Sequence, residues 1–158
     1  MADAYLTLSA STQEDLMTPA LGNHKVTMLN ISNTLDVQPT LTEKLSHQTS
    51  CKRYLLEKIP PNYQMVNFGL DGSRVSQPDL EYLNNKIKER NATAKLVWLR
   101  EAKKEGVLVA WTKLLDELVA DPTEKHLVHL SINLEAIHGL KGVSTNCLAS
   151  GIGAEESI

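Results

Sequence analysis

Leucine-lined stripes separated by abrupt capping signals fill the second half of this sequence, and they constrain its fold more than any other feature. Leu80, Leu83, Ile87, Ala94 and Trp98 recur at three- and four-residue spacing, with Asn91 as a polar interruption. That spacing places side chains on one face of a helix. Ser76 stands at the cap position, Asp79 lies in the first turn, and Pro78 sits where a missing N–H costs nothing. Arg100, Lys103 and Lys104 crowd the far end, where cations suit the helix dipole, and Gly106 follows as a C-terminal cap. Leu108, Trp111, Leu115 and Leu118 form a second stripe. Asp121-Pro122-Thr123-Glu124 then combines a capping acid, a proline at the first helical position and a capping-box glutamate. Leu127, Leu130, Leu134 and Ile137 make a third stripe that ends at Gly139. Three helices with very short joints are predicted over 76–139, packed antiparallel or at a sharp angle. The 3-4 spacing also runs unbroken from Leu80 to Leu118, so one long helix is the alternative. Arg90, Glu101 and Lys104 in its seam disfavour a continuous coiled coil.

The first half is less regular. Ala4, Leu6 and Leu8 alternate with polar residues, and 25–31 (KVTMLNI) is a second strand candidate. Residues 1–40 therefore read as a strand region or an arm that orders on a partner. Thr40 and Glu43 form a capping box, and Leu41, Leu45, Leu55 and Ile59 follow at helical spacing until Pro60-Pro61. Val66, Phe68 and Leu70 alternate ahead of Asp71-Gly72, which predicts a short hairpin near 64–75. Residues 141–158 are rich in glycine and small polar residues and read as a flexible tail. A chain of 158 residues usually makes one domain. An aromatic content of 4% leaves a core of Leu, Val, Ile, Met and Ala, which favours helices over a sandwich. The expected fold class is α+β, mainly helical: a small N-terminal strand region followed by a compact bundle of about four helices over 41–140.

Few motifs carry chemistry. No Gly-rich phosphate loop with a lysine-threonine ending and no G-x-S-x-G elbow occurs. Cys51 and Cys147 lack zinc-site or redox spacing and fit a reducing compartment. A net charge of −3 argues against bulk binding to polyanions. Neither a signal sequence nor an apolar run of about 20 residues is present, so an intracellular, cytoplasmic protein without membrane contact is expected. His126 and His129 lie three apart, a spacing that can chelate a metal, but a third ligand is not evident. Glu135-x-x-His138 has no second copy of the kind a di-iron bundle needs. No catalytic residue, cofactor or bound metal is therefore expected.

The leading expectation is a non-enzymatic structural, assembly or adaptor protein, such as a viral structural or accessory protein. It would self-associate or engage a protein partner through Leu108, Trp111, Leu115 and Leu118, with Trp111 as an anchor. One alternative is RNA or DNA binding. On a helical wheel Lys86, Arg90, Arg100 and Lys104 fall within about 40° of one line, and such a line could track phosphates. A second alternative is a small metal-dependent enzyme using the histidines of the predicted third helix.

Overall fold

A computed structural model of the chain describes residues 3–6, 25–39, 51–57, 59, 61, 63–120, 126–133, 136–138 and 152–153. The chain is an α/β protein built on a five-stranded parallel sheet. The strands are β1 (Asp3–Leu6), β2 (Lys25–Ile31), β3 (Tyr63–Leu70), β4 (Thr93–Trp98) and β5 (His126–Ile132), in the order β1-β5-β2-β3-β4. Every pairing in this sheet is parallel. The short strands β6 (Ile137–His138) and β7 (Ile152–Gly153) pair separately, also in parallel. The helices are α1 (Cys51–Leu56), α2 (Gln77–Glu89), α3 (Leu99–Glu105) and α4 (Val107–Leu118).

Strand order and the handedness of crossovers explain the two helical layers. From β2 to β3 to β4 the chain moves one way across the sheet, with α1 and α2 between strands. From β4 it returns past β2 to β5 through α3 and α4. Crossovers between parallel strands are right-handed, so reversing direction moves the helices to the opposite face. Two cores result. On one face Val26, Met28, Tyr63 and Met65 pack under Leu55, Leu56 and Leu83 of α1 and α2. On the other, Leu29, Val66 and Phe68 pack under Ala102, Ala110, Leu114 and Leu118 of α3 and α4. Phe68 and Trp111 meet edge to face, with ring centroids 5.0 Å apart and planes at 76°.

This architecture overturns the mainly helical bundle. Leu80, Leu83 and Ile87 do lie on α2, but Ala94 and Trp98 belong to β4. Leu127 and Leu130, expected on a third helix, belong to β5. A strand covered on both faces carries apolar residues at nearly every position, so a 3-4 pattern can be drawn through it without a helix. The hairpin near 64–75 is absent as well. β3 pairs in parallel with β2 and β4, and the turn at Asp71–Arg74 leads into α2. The strand expected at 25–31 is β2, and Gly106 does separate α3 from α4, at φ 97°. Residues 40–50 and 121–125, with their capping boxes, and most of the expected tail lie outside the described residues.

The end of α2 is fixed by Asn91, at φ 51°. Its N–H donates to Lys88 O (3.2 Å), and Ala92 N–H donates to Ile87 O (3.0 Å). This pair of bonds is a Schellman motif with asparagine at the left-handed position. Asparagine tolerates that conformation and alanine does not. Asn91→Ala is expected to lower stability by about 1 kcal/mol, whereas Asn91→Gly leaves it unchanged or higher; urea denaturation of both variants tests this.

Candidate functional site

In an open parallel sheet, ligands bind outside the carboxyl ends of the strands, where the strand order reverses. Here that point lies between β2, from which the chain sets out, and β5, to which it returns. The residues at this edge are polar, and several are buried. Asn30 of β2 is in register with Asn67 of β3 on one side and Ser131 of β5 on the other. Alternation along the strands puts all three on the face covered by α1 and α2. Asn30 and Asn67 are fully buried.

Their hydrogen bonding is incomplete. The Asn30 amide nitrogen donates to Val66 O at 3.4 Å, while its Oδ1 has no partner among the described residues. Neither Oδ1 nor Nδ2 of Asn67 has one among the described residues. Leaving such groups dry and unpaired costs about 1–3 kcal/mol each, so folds rarely keep them without a use.

The chain leaving β2 adds further polar groups over this row. Ser32 N–H donates to Phe68 O, and Asn133 N–H to Ile31 O (2.8 Å), which ties the β2, β3 and β5 ends together. The Ser32 hydroxyl donates to Thr34 O (2.9 Å), and the Thr34 hydroxyl to Asp36 Oδ1 (2.5 Å). Asp36 and Lys52 of α1 form an ion pair at 3.1 Å, with side chains 6% and 5% exposed.

His129 lies two residues before Ser131 on the same face of β5, opposite Met28. It is buried, and desolvation holds its pKa below the usual imidazole value. At neutral pH it is therefore an uncharged proton acceptor. His126 opens β5, and the side chains of His126, Glu135 and His138 lie outside what is described. The histidines thus belong to a central strand, not to the helix the sequence suggested.

The other predicted residues are dispersed. Trp111 and Leu118 of α4 face the core, while Leu108 and Leu115 of the same helix are exposed. Lys86 of α2 pairs with Glu57 and Glu89, both at 2.9 Å, and Arg90 reaches the Glu57 carbonyl. Tyr82 and Lys86 hold the Glu57 carboxyl below the usual carboxylate range. Arg100 and Lys104 sit on α3, beyond the intervening strand β4. The four cations therefore share no single helix face. Sequence reasoning missed Asn30, Asn67, Ser131 and Asp36, since isolated polar residues inside apolar strands carry no motif. Their one visible signal is an asparagine interrupting each of two apolar runs.

No protein-family model and no curated protein sequence matches the chain. Solved structures do match. Trypanosoma cruzi formiminoglutamase, crystallised with Mn2+, superposes with a TM-score of 0.65 over 98% of this chain and 50% of that one, at 19% identity. The formimidoylglutamase of Bacillus subtilis gives a TM-score of 0.64 over 96% of this chain and 45% of that one, at 15% identity. A Trypanosoma cruzi arginase superfamily protein gives 0.52 over 84% of this chain and 57% of that one, at 17% identity. These matches overturn the non-enzymatic adaptor, with its helical-bundle and viral associations, as the leading reading. They lie closer to the enzyme alternative.

The manganese of the first neighbour can be tested against the residues present at this edge. Hard divalent cations are held by carboxylates and imidazoles. Asn30, Asn67, Ser32, Thr34 and Ser131 are neutral amide and hydroxyl donors, and the buried carboxylate of Asp36 is already neutralised by Lys52. Among the described residues no three His, Cys, Asp or Glu side chains gather to hold a metal. This donor set does not fit a manganese pair. Among the described residues no helix is long and apolar enough to cross a membrane. The chain has the α/β fold of these arginase-like proteins, and it spans about half the length of the solved structures it matches.

Proposed function

We propose that this chain is an enzyme of the hydrolase type, with its substrate seat at the carboxyl ends of β2, β3 and β5. The observation that carries the reading is the buried, unpartnered amide of Asn67 beside Asn30, at the point where the strand order reverses. Its fold neighbours, named as formiminoglutamases and an arginase superfamily protein, support a small nitrogen-rich substrate.

The chemistry of the side chains agrees. A primary amide offers one acceptor and two donors in a plane. Asn67, with the free Oδ1 of Asn30, can pair with a planar N–C–N group such as a formimino or guanidino end. That pairing would orient the group and satisfy amides now left without partners. His129, kept neutral by burial, can take a proton from an attacking water. No step is assigned to a metal, since the donor set at this edge does not fit one.

The test is release of glutamate from N-formiminoglutamate, and of urea from arginine, by purified protein with and without added Mn2+. Turnover above the blank is expected for one of them, and His129→Asn should slow it by about 10²–10⁴-fold. Absence of turnover with both substrates under either condition would sink the proposal.

A further inference from the structure

Where β3 and β4 end, a cleft of about 670 Å³ opens beside α3. Its size is that of a small-molecule site. Leu70 and Trp98, the last residues of the two strands, give it an apolar floor, and Arg100, Lys103 and Lys104 of α3 stand along its wall.

These three cations differ from several others in the chain. Lys52 pairs with Asp36, Lys86 with Glu57 and Glu89, Lys95 with Glu117, and Lys113 with Glu105. Arg53 stacks 3.8 Å over the Tyr82 ring. Arg100, Lys103 and Lys104 have no ion pair among the described residues. The one acid of the lining, Asp71, has its Oδ1 engaged by the Ser73 amide (2.9 Å) and hydroxyl (2.8 Å). The cleft therefore joins a positive wall to an aromatic floor, at the sheet edge where α/β folds take ligands.

We propose that this cleft binds a small organic anion, with its carboxylate or phosphate on Arg100, Lys103 and Lys104 and its compact body against Trp98. Arginine and lysine donate charge-assisted bonds to either anion, and the indole face accepts a flat or apolar skeleton. Binding here needs no divalent cation and no turnover, so it stands or falls apart from the hydrolase reading.

The experiment follows Trp98 fluorescence in a Trp111→Phe background, titrated with inorganic phosphate, phenyl phosphate and glutarate in the presence of EDTA. Saturable changes are expected, with phenyl phosphate tighter than inorganic phosphate, and with affinity falling as salt rises. Preference between phenyl phosphate and glutarate identifies which anion the cleft favours. Arg100→Glu with Lys103→Glu, both exposed positions, should weaken binding at least about tenfold while circular dichroism stays native. Lys88→Glu, on α2, should leave it unchanged. No saturation below about 10 mM of any probe overturns the proposal. So does equal weakening by Lys88→Glu, which would reduce the effect to net charge.

Discussion

Lys52→Met is expected to lower the stability of the fold by about 3–5 kcal/mol. Lys52 and Asp36 meet at 3.1 Å with both side chains almost wholly out of water. Removing the ammonium leaves the Asp36 carboxylate buried, with only the Ser32 and Thr34 hydroxyls among the described residues to solvate it. The full cost of an uncompensated charge then appears. Asp36 also sits at φ 55°, a conformation that asparagine tolerates. The double variant Lys52→Met, Asp36→Asn should therefore recover most of the loss, because the charge is gone and the backbone is undisturbed. Lys113→Met is the control. It breaks an ion pair whose side chains are 62% and 40% exposed, and such pairs contribute about 0–1 kcal/mol. Urea denaturation of the four proteins measures all of this. An equal, small effect of Lys52→Met and Lys113→Met would show that the Asp36 pair is not buried in solution.

Asn67→Leu is expected to do the opposite, raising stability by about 1–3 kcal/mol while abolishing turnover. The amide is fully buried and pairs with nothing among the described residues. Leucine has the same branched outline, though its methyls are bulkier than the amide O and NH2, and Met65 and Met28 already share that face beneath Leu83 of α2. Replacing an unpaired polar group by an apolar one of like shape removes its desolvation cost. A protein that keeps a destabilising amide in its core spends stability on something else, and here the proposed use is holding substrate. Thermal denaturation and the glutamate- and urea-release assays together test the trade. If Asn67→Leu is both less stable and fully active, the amide is a packing element and the substrate seat lies elsewhere.

Much of the local structure is legible in the sequence, and the global arrangement is not. Ser76 caps α2 as its position suggests, with its hydroxyl accepting from Asp79 N–H at 3.3 Å and Pro78 in the first turn. Gly106 breaks the chain between two helices because a positive φ is needed there. Asn91 hides the next boundary. Read as a polar interruption of one long stripe, it is the left-handed cap where α2 stops and β4 begins. Asparagine at that position is far less conspicuous than glycine. β5 misleads for a different reason. It lies between β1 and β2, with Val128 and Leu130 packed on the core under α3 and α4 and His129 buried on the opposite face, so its leucines and valine need no alternation. The candidate site was invisible because it is made in space. Asn30, Asn67 and Ser131 are far apart in the chain and meet only through strand register.

The strand order has a consequence for how the chain assembles. β5, from residues 126–132, slots between β1 and β2, which are formed by the first 31 residues. During synthesis the early strands must wait, with unpaired edges, until residues 126–132 have left the ribosome. A nascent polypeptide shorter than this holds β2, β3 and β4 as an incomplete ribbon with β1 stranded. Such sequence-distant pairing slows folding and exposes sticky backbone meanwhile. The middle of this sheet is the part completed last.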